Sequence, residues 1–253
     1  MKIALIQSAP KLNRSNMGDV LEFIDTFSEA DLVVFPELAL SGYMLQDKLF
    51  EDAWQLDQLE PLLEASLQCD IAIGASIWDE GRVYNSALYF SKGELLHIHH
   101  KNHLPTYGMF EEGRYFAHGD EIKSFKTAQG NAVMVVCEDV WRGQTFATLS
   151  AALDVDVIYV LAASPARDFN DDGLAIESQW DALLKSLALL TKAYVVFVNR
   201  VGFEDGLGFW GGSRVITPSG EIEYKLSLLD EESKIVSLNH KLQKLERYIA
   251  KNT

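Results

Sequence analysis

Seven short apolar runs, each only four to seven residues long and rich in Val and Ile, punctuate the chain: Ile3–Gln7, Leu32–Phe35, Ile71–Ile77, Ala87–Phe90, Ala132–Val136, Val157–Ala162 and Val195–Asn199. Runs of that length, bounded by polar or turn residues, predict buried strands rather than helices. Helical patterns lie between some of them. Trp180, Leu183, Leu184, Leu187 and Leu190 recur at the three-and-four spacing of one apolar helix face. The stretch after Lys48, with Phe50, Trp54, Leu56, Leu59, Leu62 and Leu63, predicts another helix. Such alternation is the pattern of an α/β protein whose sheets are covered by helices. Beyond Gly206 the texture changes. Glycines and a Pro218-Ser219-Gly220 turn separate short strands, Lys234–Asn239 is a further strand, and a terminal helix is expected from His240. With no linker or repeat in view, residues 1–253 are expected to form one domain.

The formal charge of −15 is spread along the chain. It argues against nucleic acid or an anionic membrane as partner, since both need clustered Lys and Arg. Two cysteines, Cys69 and Cys137, are too few for a disulfide framework. No apolar stretch reaches the ~20 residues needed to cross a bilayer, and the first residues read as a strand, not a signal peptide. A cytoplasmic location is the expectation.

Three hydrophobic strands, two of them among these runs, each finish on a reactive residue. Leu32–Pro36 leads to Glu37, Leu95–His100 to Lys101, and Val133–Val136 to Cys137. In α/β folds ligands collect at the carboxyl ends of strands, so a carboxylate, an ammonium and a thiol at three such ends are poised to converge. Together they suit acyl transfer. A thiol needs a base to become a nucleophile, and a fixed ammonium stabilises the oxyanion formed on attack. Each residue alone has a plainer reading. A cysteine closing an apolar strand is commonly a small core residue, as Cys69 is expected to be. Glu37 after a proline resembles a turn residue, and a lone lysine is usually solvated.

The words around these residues carry a resemblance. Val34–Tyr43 (Val-Phe-Pro-Glu-Leu-Ala-Leu-Ser-Gly-Tyr), His100–Pro105 (His-Lys-Asn-His-Leu-Pro) and Val136–Trp141 (Val-Cys-Glu-Asp-Val-Trp) resemble, in order, the glutamate, lysine and cysteine segments of the nitrilase (carbon–nitrogen hydrolase) superfamily. Val198–Gly202 and Gly211–Ser213 are similar to its later signatures. Leu104–Phe116 and the Cys-Glu-Asp-Val-Trp word most resemble the glutaminase domain of glutamine-dependent NAD synthetases. The resemblance implies Cys137 as nucleophile, Glu37 as base, Lys101 as stabilising cation and Glu112 as a second glutamate that helps position substrate and the lysine. It also implies a substrate pocket lined by Tyr107, Glu138 and Ser164; Trp141 is added as a candidate wall. The implied fold is a four-layer α-β-β-α sandwich, paired into a homodimer or higher oligomer.

Two departures from that glutaminase group stand out. The chain ends where the synthetase domain would begin, so it is not expected to make NAD by itself. The basic residues expected after the Ser-Pro word are replaced by Ala166–Asp172, and the following Trp180 is more like stand-alone amidases of the superfamily. The expected function is therefore hydrolysis of a small amide, glutamine-like or another short amide, through a Cys thioester with release of ammonia. The alternatives are an ammonia-donating subunit of a larger complex and a non-catalytic binding scaffold. His97, His99, His100 and His103 invite a zinc reading, but strand geometry sends His100 opposite to His97 and His99, and no Cys completes a site. A Cys137–His103 couple ranks second to Glu37 as the activating pair. Trp210 is read either as pocket wall or as core. The Gly206–Gly212 stretch lacks the lysine of a phosphate loop, and no cofactor or metal is implied.

Overall fold

The fold is that of a computed structural model in which residues 1–152, 154–170 and 173–238 are described. Two sheets face each other. The first runs in the order Glu232–Ser237, Lys2–Gln7, Leu32–Val34, Asp70–Asp79, Arg82–Ser91, Glu94–His100, with the short Trp54–Gln55 strand also on Asp70–Asp79. The second runs Ile222–Lys225, Arg214–Ile216, Tyr194–Asn199, Val157–Ala162, Gly130–Val136, Ser124–Thr127. Each is parallel at its centre and antiparallel at both edges. All seven expected strands are present, most of them longer than the apolar runs that mark them.

Three apolar cores account for four layers. One lies between the sheets and contains Ile3, Leu5, Val34, Tyr89, Met134, Val136, Tyr159 and Val198. A second packs the other face of the first sheet against Val20 and Ile24 of the Asn16–Thr26 helix and Leu62 of the Glu60–Ala65 helix. The third packs the second sheet against the Gly143–Ala152 and Ala175–Thr191 helices through Leu149, Trp180, Leu184 and Leu187. Strands buried on both faces read as continuous apolar runs rather than alternating ones, and this is why the pattern was visible in sequence. The architecture is the α-β-β-α sandwich.

The stretch after Lys48 departs from expectation. It is not one helix: Leu49–Asp52 is a single turn, Trp54–Gln55 a strand, Leu56–Leu59 a 3-10 turn and Glu60–Ala65 a short helix. Ala53 adopts an extended conformation that breaks the helix, and the backbone of Trp54 and Gln55 pairs with Ile77 and Trp78. The expected strand near Lys234 spans Glu232–Ser237. Asn239 and the expected terminal helix from His240 lie outside the described residues.

Candidate active site

Glu37, Lys101 and Cys137 each follow the carboxyl end of a strand, Glu37 three residues beyond Val34 and the other two immediately. Pro36 stops the first strand, since it has no N–H to continue the ladder. The chain then folds tightly over Gly74, whose N–H donates to the Pro36 carbonyl (3.2 Å) and whose carbonyl accepts from Leu40 (3.3 Å). A Cβ on Gly74 would stand 2.4 Å from the Leu38 nitrogen and 2.6 Å from Glu37 Cα, so only glycine lets the glutamate turn approach this strand. Lys101 is set by the hairpin between Arg82–Ser91 and Glu94–His100, where its N–H donates to the Asn85 carbonyl (2.8 Å). Cys137 opens a 3-10 turn, Cys137–Trp141, with φ of +41°. That conformation is uncommon for a residue with a Cβ and persists only where surroundings hold it.

The side chains meet in one buried cluster. Lys101 Nζ donates to Glu37 Oε1 and to Glu112 Oε1, both at 2.7 Å. Asn85 Nδ2 donates to Glu37 Oε1 (2.7 Å) and the Ala163 N–H to Glu37 Oε2 (2.7 Å). Tyr43 donates its hydroxyl proton to Glu112 Oε1 (2.6 Å). Glu37, Lys101 and Glu112 are buried, while Cys137 is partly exposed. The thiol makes no hydrogen bond among the described residues, but it lies in the field of Glu37, Lys101, Glu112 and Glu138.

Burial, reinforced by Glu37 and Glu112 against the opposing pull of Lys101, holds the thiol pKa well above its ordinary value, so Cys137 rests as the neutral thiol. Burial likewise pushes Glu112 up to about 7, with Lys101 pulling the other way. Burial alone would lower Lys101, but Glu112 and Glu37 outweigh it and keep the ammonium charged.

Of the residues expected to line the pocket, Glu138 acts directly on the Cys137 thiol. Tyr107 donates its hydroxyl proton to Glu138 (2.9 Å), and Glu138 is also paired with Arg142. Ser164 follows Ala163, the residue that binds Glu37; its hydroxyl accepts from the Trp180 indole (2.9 Å) and its N–H donates to Asn199 (2.8 Å). Trp141 stacks edge-on against Trp180 (5.4 Å), with the Arg167 guanidinium 5.9 Å from its ring. Trp210 is not a pocket wall. It is fully buried among the helix-facing core residues with Arg214 near its ring.

The histidines are separately engaged. His99 bonds Asp139 (2.9 Å); His100 contacts Asp79 (3.1 Å) and Ser86 (2.8 Å) and stacks on Tyr84. His97 stacks on Phe125, and burial pushes its pKa down to about 4. His103 lines a surface groove with Asn102, Gln144 and Thr145 and is not among the groups acting most strongly on the Cys137 thiol. Cys69 is buried in the core beneath the first sheet, where burial lifts its thiol to about 11.

Four partners were not foreseen: Tyr43, Asn85, Asp139 and Arg142. Neither Asn85 nor Asp139 carried a local signal: the Arg82–Ser91 strand also holds Arg82, Ser86 and Ser91, and the role of Asp139 depends on which backbone N–H groups come to surround it.

Residues 2–248 match the model of the carbon-nitrogen hydrolase family. This chain is a carbon–nitrogen hydrolase family member. It is 30% identical over 238 residues to the glutamine-dependent NAD(+) synthetase of Acinetobacter baylyi, covering 91% of this chain and 43% of that protein. The solved glutamine-dependent NAD+ synthetase of Acinetobacter baumannii superposes with a TM-score of 0.82 at 30% identity, over 96% of this chain and 46% of that one. An amidase of the nitrilase superfamily from Nesterenkonia shares the fold with a TM-score of 0.79 at 22% identity, over 100% of this chain and 96% of that one. The carbon–nitrogen hydrolase thus spans less than half the length of the synthetases it matches. Among its described residues no helix is long and apolar enough to cross a membrane.

Proposed function

We propose that the chain hydrolyses the terminal amide of a small substrate, glutamine or a close ω-amide, through a thioester on Cys137. The observation that carries this reading is the single buried cluster in which Lys101 joins Glu37 and Glu112 beside the Cys137 thiol. Because the thiol rests protonated, it needs a base, and Glu37 has the right chemistry and place. As Sγ attacks the amide carbonyl, Glu37 takes the thiol proton and Lys101 stabilises the oxyanion. Collapse of the tetrahedral intermediate breaks the C–N bond; Glu37 returns the proton to the departing nitrogen and ammonia leaves. A water, deprotonated by Glu37, then attacks the thioester and releases the acid and the thiol. Glu112 and Tyr43 hold the lysine in place through both halves.

Glu138 supports an amino-acid amide. It presents a carboxylate beside the nucleophile, with Tyr107 and Arg142 fixing its orientation, and an α-ammonium is its natural complement. Ser164 and Trp141 complete the lining. Rapid acid quench during turnover of glutamine, followed by peptide mass analysis, tests the reading directly. An acyl adduct on the Cys137 peptide is expected; turnover without any Cys137 adduct overturns the thioester route.

A second reading, an ammonia-donating subunit of a larger complex, is favoured by the likeness to synthetases of which this chain matches less than half. It predicts weak hydrolysis alone and co-migration with a larger partner on gel filtration of a native extract. Self-association is part of the same proposal. Leu189 and Leu190, 44% and 59% exposed near the end of the Ala175–Thr191 helix, offer apolar surface for a second copy to cover.

A further inference from the structure

Lys101 and Cys137 belong to different sheets. Lys101 ends the Glu94–His100 edge strand of the first, and Cys137 follows the Gly130–Val136 strand of the second. Nothing in either hydrogen-bonded ladder fixes the distance between them. The link lies in Asp139, a fully buried carboxylate two residues after the cysteine. Its Oδ1 accepts from the backbone N–H groups of Asn102 (3.1 Å) and His103 (3.0 Å), the two residues after Lys101. Its Oδ2 accepts from the Val136 N–H (3.0 Å), the residue before Cys137, and meets His99 Nε2 at 2.9 Å.

His99 is on the edge strand two residues before Lys101, whose N–H to the Asn85 carbonyl (2.8 Å) continues the ladder, so both side chains leave the same face of the sheet. Three of the four Asp139 contacts therefore tie the Lys101 segment, through His99, Asn102 and His103, to the cysteine turn, and the fourth closes that turn on Val136. The bond to Val136 also draws the turn back on itself around Cys137, at the point where φ is +41°. A buried carboxylate is costly unless its lone pairs are satisfied, and here four donors satisfy it.

We propose that Asp139 and His99 form a positioning clamp across the two sheets that sets the separation of the Lys101 ammonium from the Cys137 thiol and holds the nucleophile's strained turn. The clamp rests on the cysteine–lysine reading above but is independent of which amide is the substrate. Neither residue touches the substrate; they act through Lys101 and Cys137. Because the lysine charge favours the thiolate, loosening the clamp moves the cysteine's titration to higher pH.

The test follows iodoacetamide alkylation of Cys137 in the full chain as a function of pH, read by peptide mass so that Cys69 is counted separately. In His99→Phe, which keeps a ring but removes the donor, the half-maximal pH moves up and the rate at a fixed pH below it falls about threefold or more. His99→Gln, which restores a side-chain N–H donor, moves the midpoint back toward wild type. Should His99→Phe fail to fold, Asp139→Asn takes its place, since it keeps the acceptor for Asn102 and His103 but turns a donor toward Val136; the same upward move is expected. With an amide that is turned over, kcat falls by roughly tenfold to a hundredfold while KM stays near wild type. An unmoved midpoint in folded variants overturns the clamp, and so does an equal rise in His99→Phe and His99→Gln. Because alkylation needs no substrate, silence across every amide would count against the hydrolase reading while leaving the clamp to be judged on the midpoints.

Discussion

Lys101 Nζ and Glu112 Oε1 stand 2.7 Å apart with both side chains closed off from solvent. The pair is strained electrostatically by Glu37, which shares the same ammonium and opposes ionisation of Glu112. Glu112 consequently holds its proton up to about 7, against a usual value of 4.5. A carboxyl that binds its proton more tightly when folded contributes stability below its unfolded pKa, and loses it as pH rises through the folded value. Urea unfolding of wild type and Glu112→Gln should therefore show the wild type's advantage shrinking from pH 5 to pH 8, by an amount on the order of 1 kcal/mol. A widening gap over that range would contradict the assignment.

The neutral resting thiol leads to an outcome that separates nucleophilicity from turnover. Burial and Glu37 both hold the Cys137 proton on. Replacing Glu37 by Gln removes one of those influences, so alkylation of Cys137 at pH 8 should be faster than in wild type. Hydrolysis by the same variant should fall by about a hundredfold or more, because the proton acceptor is gone. Kinetics of iodoacetamide labelling and of ammonia release on one preparation give both readings.

Gly74→Ala should be among the most damaging single-methyl changes in the chain. The new Cβ would stand 2.4 Å from one backbone nitrogen and 2.6 Å from Glu37 Cα, and backbone in a packed core has no room to retreat. Overpacking of this kind costs about 3 kcal/mol, equivalent to a fall in Tm of roughly 10 °C for a chain of this size. Thermal unfolding followed by circular dichroism checks it.

Much of this arrangement was legible from the residues. Doubly buried strands announce themselves as unbroken apolar runs, which is why all seven were located; two of them lead to Glu37 and Cys137, while Lys101 follows the half-exposed Glu94–His100 edge strand. The helix expected after Lys48 failed for a tertiary reason. Phe50 and Trp54, and then Leu56, Leu59 and Leu63, keep helical spacing, but backbone pairing of Trp54 and Gln55 with Ile77 and Trp78 overrides it. The Asn16–Thr26 and Gly143–Ala152 helices were not picked out. The first of these lacks a side-chain hydrogen bond at its N-cap, and Val20 and Ile24 are its only fully buried apolar residues. Asn85 and Tyr43 escaped because a buried hydrogen bond to a distant carboxylate leaves no trace in local pattern.

Arg200 and Glu204 offer a test of how the glutamate loop is braced. Arg200 Nη1 donates to Glu204 Oε2 (2.7 Å) and Nη2 to the Pro10 carbonyl (3.1 Å), while Glu204 Oε1 accepts from the N–H of Tyr43 (2.8 Å) and Met44 (2.5 Å). Glu204→Ala leaves a buried guanidinium without its partner and two N–H groups unsatisfied, a loss of about 3–5 kcal/mol. Because Tyr43 carries the bond to Glu112, residual activity should fall as well. Denaturation midpoints and ammonia release together check both effects.

The most direct test of the central claim is ammonia release from a panel of small amides, glutamine included, by wild type and Cys137→Ala side by side. Wild type is expected to release ammonia from glutamine or another ω-amide, and the alanine variant, whose fold stays intact, none above background. Equal ammonia release by a folded Cys137→Ala protein would contradict it.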